Sequence, residues 1–428
     1  MFLYLKNQFE QVLHGGVEIV FSKFTKIIKI FLANLLAFSF LPLSFFIKII
    51  SKYIVIRFAE IPSNRIGHFA METDLYLTKK KLNKSKCIDI FSVQYYDNYI
   101  CNKKLYDCFK KKIIILPSFF IYPFILNSKY YKIFSNQSFQ LNNSNDRDVG
   151  NDRDVGNILR KTNQNIILDQ SDIKIGDEFL YKISSLGPKI KFAIIIVRDS
   201  EYLSKKFNKN WSYHDYRDGN INDYVLACEE LTKHGYYVFR MGEIVKKKIK
   251  TKNPMIIDYA TNGMRTELLD IYLAAKCDFC ISNITGYDSV PAIFRKPMLY
   301  TNTTILGHLP TFYEKYLITI RHHYSKKLNR RLSLTEIFEQ NVFALFKTSE
   351  FLSKGIILKD NSPEEIRDAA IEMVELITDP TKKNCKYNKV FWDIYKSCIV
   401  KNNLQANHGL LLSKISTKFL KKNNYLIK

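Results

Sequence analysis

Between Ile190 and Gly242 the sequence spells a strand, a helix and a second strand, an order that leaves few folds open. The apolar run Phe192–Val197 ends at Arg198-Asp199-Ser200. After a polar aromatic block come Ile221, Tyr224, Val225, Cys228 and Leu231, spaced for one face of a helix over Ile221–His234. Asn220 with Asp223 three residues on predicts its cap, and Gly235 its stop. Tyr236–Phe239 reads as a strand ending at Arg240-Met241-Gly242. Each strand thus delivers an arginine to its carboxyl end. In an open α/β sheet, that is the edge where ligands bind.

The same alternation runs on either side. Tyr53–Phe58, Lys86–Phe91 and Lys112–Leu116 read as strands, with a helix over Phe69–Leu82 and another helical stretch between them. Arg265–Ala275 reads as a helix, Cys277–Ser282 as a strand and Ser282–Gly286 as a turn. Tyr287–Phe294 is a short helix with Pro291 in its first turn, and Met298–Thr301 a further strand. The expected class is α/β, two such units separated by a variable loop. Ser362-Pro363-Glu364-Glu365 predicts a helix start. Tyr324–Leu332 reads as a basic surface loop, and Leu410–Lys428 as an amphipathic tail that returns to the first unit or touches membrane.

Ahead of the first strand, Ile27–Ile50 is strongly apolar, with Lys23, Lys26 and Lys29 before its core, Phe31–Ile47, and Lys48 and Lys52 after it. Its core is just short of the roughly 20 residues a spanning helix needs. Asn34, Ser39, Pro42 and Ser44 interrupt it. A membrane-associated helix or hairpin on the cytoplasmic leaflet is the expectation. The formal net charge of +24 invites a nucleic-acid reading, but the basic residues are dispersed, with only short clusters such as Lys246-Lys247-Lys248. They suit acidic partners such as nucleotide sugars or an anionic membrane face. Eight scattered cysteines predict reduced thiols. Cys277 and Cys280 form a C-x-x-C pair inside an apolar run and are expected to be buried strand residues.

Residues 142–157 are of low complexity and contain an immediate duplication, Asn145–Gly150 repeated as Asn151–Gly156. The default is a solvated linker. Asp146-Arg147-Asp148 and Asp152-Arg153-Asp154 match the D-x-D metal motif of one glycosyltransferase class, yet neither ends a predicted strand. No metal ligand is expected.

The remaining candidates cluster at strand ends. Arg198, Asp199 and Arg240 are either ordinary strand-end charges or phosphate ligands, since guanidinium forks match two oxygens at once. Ser282, Asn283 and Gly286 form a turn that lets a diphosphate approach the backbone, or simply a tight turn. Asp288 and Ser289 follow as further ligands or as helix caps. Tyr213, His214, Asp215, Tyr216 and Arg217 form a dense polar aromatic knot, functional or structural. Arg65, Gly67 and His68 sit where the first strand meets the first helix. There Gly67 leaves room for substrate and His68 is a candidate base, the alternative being a helix cap.

These residues resemble a family of bacterial glycosyltransferases of surface-polysaccharide clusters. The matching stretches are Arg65-Ile66-Gly67-His68, Val197-Arg198-Asp199-Ser200-x-Tyr202, Tyr213-His214-Asp215-Tyr216-Arg217, Arg240-Met241-Gly242, Asp258-Tyr259-Ala260, Gly286 in its turn and Phe294-Arg295-x-Pro297. The resemblance implies a GT-B-like fold, two Rossmann-like domains facing across a cleft. It implies an acceptor domain, placed at 53–185, and a sugar-nucleotide domain, placed at 186–376 and including Gly242; the membrane-associated segment at 1–52 and the helical basic tail at 377–428 are read from the residues themselves. No cofactor and no metal are expected. The substrates are a nucleotide-sugar donor and a glycan or lipid-linked acceptor at the cytoplasmic face of the bacterial inner membrane. The duplicated loop and the basic tail depart from the family pattern. A sugar-nucleotide epimerase on the same architecture is one competing function, needing no lipid acceptor. A non-catalytic membrane- or nucleic-acid-binding protein is another, and it leaves the strand-end arginines unexplained.

Overall fold

The computed structural model describes residues 21, 24, 25, 27–84, 86–95, 99–131, 153–207, 211–379 and 386–428. It is an α/β protein built on parallel sheets. Two compact units divide the chain out of sequence order. Unit one takes Met1–Arg65, Lys80–Cys101 and Phe109–Asn143; unit two takes Ile66–Lys79, Asn102–Cys108 and Ser144–Lys428.

The chain opens with α1 (Ile27–Ser39) and α2 (Leu41–Ile50), which meet at a 53° bend. Among the described residues no single helix is long and apolar enough to cross a membrane. Next come β1 (Ile56–Ile61), α3 (Ile66–Leu82), β2 (Ile88–Val93), α4 (Lys103–Lys110), β3 (Ile114–Ile115) and α5 (Ser118–Tyr131). The first strand starts later than its apolar run. The Tyr53 and Ile54 N–H groups still bond the Ile50 carbonyl, so pairing begins only at Ile56, opposite Ile88. Strands β1, β2 and β3 form the parallel sheet of unit one. Phe58 of β1 stacks on Phe124 of α5 at 4.5 Å.

The second unit continues with α6 (Gln170–Ile183), β4 (Lys191–Ile196), α7 (Glu201–Phe207), α8 (Val225–Lys233), β5 (Tyr236–Arg240) and β6 (Ile256–Ile257). Then come α9 (Glu267–Lys276), β7 (Phe279–Ser282), α10 (Ser289–Ile293), β8 (Met298–Thr303) and β9 (Tyr316–Ile320). The last third holds β10 (His322–Ser325), β11 (Arg330–Arg331), α11 (Leu334–Glu339), α12 (Thr348–Ser353), β12 (Ile356–Lys359), α13 (Pro363–Thr378), α14 (Lys386–Lys401), β13 (Lys414–Ile415) and α15 (Thr417–Lys422). Seven strands make one parallel sheet in the order β13-β9-β8-β7-β4-β5-β6. The core packs Ala193, Ile195 and Val238 of the sheet against Cys228 and Leu231 of α8 and against Ile366, Ala370 and Met373 of α13. Those apolar runs lie between helices, which is why they lack strand alternation.

Several expectations are corrected. The helix over Ile221–His234 is a 3-10 turn at Ile221–Tyr224 followed by α8, and Asn220 bonds the Asp223 carboxylate at 2.8 Å instead of capping a backbone N–H. Tyr324–Leu332 is not a loop: β10 and β11 pair antiparallel, with β12 on the other side of β10. The tail belongs to unit two. Strand β13 extends the large sheet beside β9, and the Tyr425 hydroxyl meets His322 at 2.7 Å. The cap of α13 is as expected, with the Ser362 hydroxyl accepting from Glu365 N and the Glu365 carboxylate accepting from Ser362 N. Cys277 and Cys280 are buried free thiols, and burial pushes the Cys277 thiol up to about 12.

The first Asp-Arg-Asp copy and Asp152 lie outside the described residues. The end of the second copy is no solvated linker. Arg153 donates to the Leu309 carbonyl and lies over the Phe312 ring, and Asp154 accepts from the N–H groups of Ile158 and Leu159. Asn157 accepts from Leu410 N and donates to the Phe312 carbonyl. Asp154 is thereby spent on backbone donors.

Candidate functional site

In unit two the carboxyl ends of β4 and β7 are tied together. Asn283, just past β7, accepts from Arg198 N at 2.8 Å and donates to the Arg217 carbonyl at 3.1 Å. Arg217 answers by donating to the Ile284 carbonyl at 2.9 Å. The block Tyr213–Arg217 forms a 3-10 turn, Ser212–Arg217, clamped onto the β7 turn. Trp211, Tyr213 and His214 stack within it, with the His214 ring 4.0 Å from Tyr213 and itself buried. Thr348 donates to Ser212 and Tyr213 carbonyls and accepts from Tyr216 N. Arg321, invisible as a site residue in the sequence, donates to the Tyr216 and Asp218 carbonyls from below.

Arg198 lies inside this knot. Its guanidinium pairs with the Asp218 carboxylate and donates to the His214 carbonyl at 3.2 Å. Burial pulls the arginine below its ordinary range and pushes Asp218 up to about 6, with nearby Asp215 and Asp199 adding to the upward shift and Arg198 opposing it. Asp199 accepts from Glu201 N, starting α7, and from Lys246 N. A cavity of about 180 Å³ opens beyond these strand ends, lined by Asp199, Ser200, Asp218, Arg240, Lys246 and Lys247 among others. Arg240 is only 1% exposed. It donates to Asp258 and to the Lys247 carbonyl, so it braces the lysine loop, while its Nε has no partner among the described residues. Gly242 (φ +151°) is required where it stands, because a Cβ there would meet Val245 at 2.6 Å.

The β7 turn satisfies part of itself. Ser282 donates to Asp288, which also accepts from Thr285 N, and Ile284 N donates to the Ser282 hydroxyl. Asp288 thus acts as the turn's internal acceptor, and both it and Ser289 are buried. Helix α3 presses on this turn. A Cβ on Gly67 would lie 2.8 Å from the Gly286 oxygen and 2.9 Å from its Cα. The next residue, His68, bonds Glu72 Oε1 through Nδ1 at 2.6 Å, and the glutamate side chain is 1% exposed. The carboxylate accepts, which fixes the Nδ1–H tautomer. Sequence reading placed His68 in a first domain apart from the donor residues; here residues 66–79 belong to unit two, beside the turn. Arg65, one residue before α3, is in unit one and half-buried. Glu72 was overlooked, although histidine and glutamate four residues apart on a helix is a readable pairing.

The close approach is one-sided, which gives a test. Gly67→Ala forces a Cβ into backbone and should cost about 1–3 kcal/mol, the usual range for overpacking. A methyl on Gly286 meets Gly67 N at 3.5 Å, Gly67 Cα at 3.8 Å and Ile66 Cγ2 at 3.9 Å, all ordinary contacts. Gly286→Ala should therefore melt close to wild type. Equal losses in both variants would mean the helix is not seated on the turn.

Among the described residues no group of three or more His, Cys, Asp and Glu is arranged to hold a metal ion. No protein-family model and no curated protein matches the chain. Among solved structures it is similar to the glycosyltransferase family 9 protein of Veillonella parvula, at 10% identity over 75% of this chain and 97% of that one, with a TM-score of 0.44. It is also similar to the E. coli ADP-heptose LPS heptosyltransferase II, at 15% identity over 62% and 90% of the two chains and a TM-score of 0.33. The iron-containing dodecameric glycosyltransferase TibC of enterotoxigenic E. coli follows, at 10% identity over 59% of each chain and a TM-score of 0.31. Superpositions this loose carry over neither a residue nor a substrate.

Proposed function

We propose that this chain is a glycosyltransferase that moves a sugar from a nucleotide-sugar donor to a glycan or lipid-linked acceptor in bacterial surface-polysaccharide synthesis. Its place of work is the cytoplasmic face of the inner membrane. One convergence carries the reading: the Gly67–Gly286 contact seats the His68–Glu72 pair against a turn that is tied to Arg198 and the Tyr213–Arg217 block. A proton acceptor beside a cluster of cations is what transfer to a hydroxyl needs. The acceptor oxygen bonds the anomeric carbon as the bond from that carbon to the diphosphate oxygen breaks. The hydroxyl proton goes to His68 Nε2, because Nδ1–H is committed to Glu72. The departing diphosphate is met by Arg198, Arg217 and the Lys246–Lys247 loop that Arg240 braces, with no metal ion or cofactor required. Tyr213, His214, Asp215 and Tyr216 shape the donor pocket.

The test is a panel of sugar nucleotides screened for thermal stabilisation of the purified protein. A donor at about 100 times its Kd should stabilise by ~2.7 kcal/mol. Absence of any stabilising nucleotide sugar across the panel overturns the reading.

The cavity also predicts a pH dependence. Asp218 is charged above about 6 and neutral below it. Lowering pH through that value removes a negative charge from the cavity wall, while a diphosphate diester keeps its own. At an effective dielectric of about 20 and ~10 Å, one charge is worth roughly 1–2 kcal/mol. Donor affinity measured by calorimetry should thus rise about tenfold from neutral to mildly acidic pH, and Asp218→Asn should flatten the profile. A flat wild-type profile would remove Asp218 from the donor's surroundings.

A further inference from the structure

Unit one carries an apolar surface that the transfer chemistry does not use. On α1, Phe31, Leu35 and Phe38 are 59–67% exposed, and on α2, Phe45, Phe46 and Ile49 are 52–66% exposed. The opposite face is small and packed: Ala33 and Ala37 meet Tyr122 and Leu126 of α5, and Phe40, Leu41 and Ile47 meet Ile121 and Phe124. At the start of α5, Phe119 and Phe120 are each 52% exposed, next to Leu116 at 42%.

Polar groups in this element are answered as an apolar solvent demands. Asn34 and Ser39 bond the carbonyls of Ile30 and Leu36 in their own helix. The bend after Ser39 interrupts the helical ladder, and buried Asn127 of α5 donates to the Ala37 carbonyl and to the Ser44 hydroxyl there, both at 2.9 Å. Helix α5 is thus the third member of the element, and it seals the break. At about 1.5 Å per residue, α1 and α2 are roughly 20 and 15 Å long, short of the ~30 Å hydrocarbon core. From Phe21 to Ala59 there is no Asp or Glu, while Lys29, Lys48 and Lys52 are exposed. That charge complements an anionic leaflet.

We propose that α1, α2 and the first turn of α5 form one re-entrant element that enters a single leaflet of an anionic bilayer, with Phe119 and Phe120 inserted beside the bent pair. This rests on the membrane placement proposed above and not on the transfer reaction. The experiment is flotation of the full chain with vesicles of phosphatidylethanolamine and phosphatidylglycerol. Phe119→Ser/Phe120→Ser should lower the bound fraction roughly tenfold or more, as expected for two inserted aromatics. Ile175→Ser, an equally exposed apolar site on α6, should leave flotation unchanged. A Phe120→Trp variant should show added fluorescence that lipids brominated on the acyl chain quench. If wild type floats, the serine pair floats equally and the tryptophan at 120 is unquenched, the role of α5 is overturned while membrane attachment stands. If wild type does not float, both fail. A lipid-free dimer that disperses when the phenylalanines become serines would show that a second copy covers the face, and would overturn the proposal too. Donor-induced stabilisation, read on the same preparations, reports the transfer reading separately.

Discussion

His68→Ala lowers turnover by roughly 100-fold or more, the usual loss when a general base is removed, while donor affinity stays near wild type. The expectation follows from where the imidazole sits. Its helix is seated on the Gly286 turn, and its Nδ1 is held by a carboxylate almost wholly out of water. Glu72→Gln should lose less than His68→Ala, because an acceptor oxygen remains while the charge goes. Glu72→Ala should lose more than the glutamine variant. Single-turnover rates beside calorimetric donor affinities separate the effects. Full turnover in His68→Ala, with Asp215→Ala inactive yet still binding donor, would move the base to the Tyr213–Arg217 block.

Arg295→Ala should destabilise unit two by about 3–5 kcal/mol, the range for breaking a buried ion pair from one side. Arg295 donates to Asp74 at 2.7 Å and to the carbonyls of Leu159 and Ile293. Asp74 is fully buried on α3, and burial raises it above the ordinary carboxylate range despite the arginine. Removing the cation leaves that carboxyl without its charge partner, and it loosens the helix that bears His68. A lower urea midpoint with an unchanged slope checks the prediction. Replacing both partners with apolar residues of similar volume should recover part of the loss. An Arg295→Ala midpoint equal to wild type would mean the pair contributes nothing.

The parallel sheet around Ile190–Gly242 was legible because buried strands and an amphipathic helix stopped by Gly235 leave plain patterns. The polar aromatic knot and the β7 turn could also be picked out, as dense or small polar residues at strand ends. Their mutual ties could not. Asn283 reaches Arg198 and Arg217 across long stretches of sequence, and Arg321 lies more than a hundred residues from the carbonyls it supports. Arg295 was visible as a motif, but its partner on α3 is 221 positions away. The hairpin at β10–β11 was hidden by its basic residues. Arg330 and Arg331 read as solvated charge, whereas antiparallel strands with an exposed face accept such residues readily. The tail strand β13 contributes two residues to the sheet, too few for any period to register.

The anchorage at Arg153, Asp154 and Asn157 bears on how this gene can vary. Both copies of the hexapeptide end in Arg-Asp-Val-Gly and both are followed by asparagine. Deleting either copy therefore yields the same chain, and inserting a third leaves the same residues next to Leu159. Tandem repeats gain and lose units when a polymerase slips. Here slippage would alter only the length of chain before the anchor, since an identical clasp is always regenerated at Phe312 and Leu410. The repeat is thus a point where length polymorphism among strains would be nearly silent for the fold.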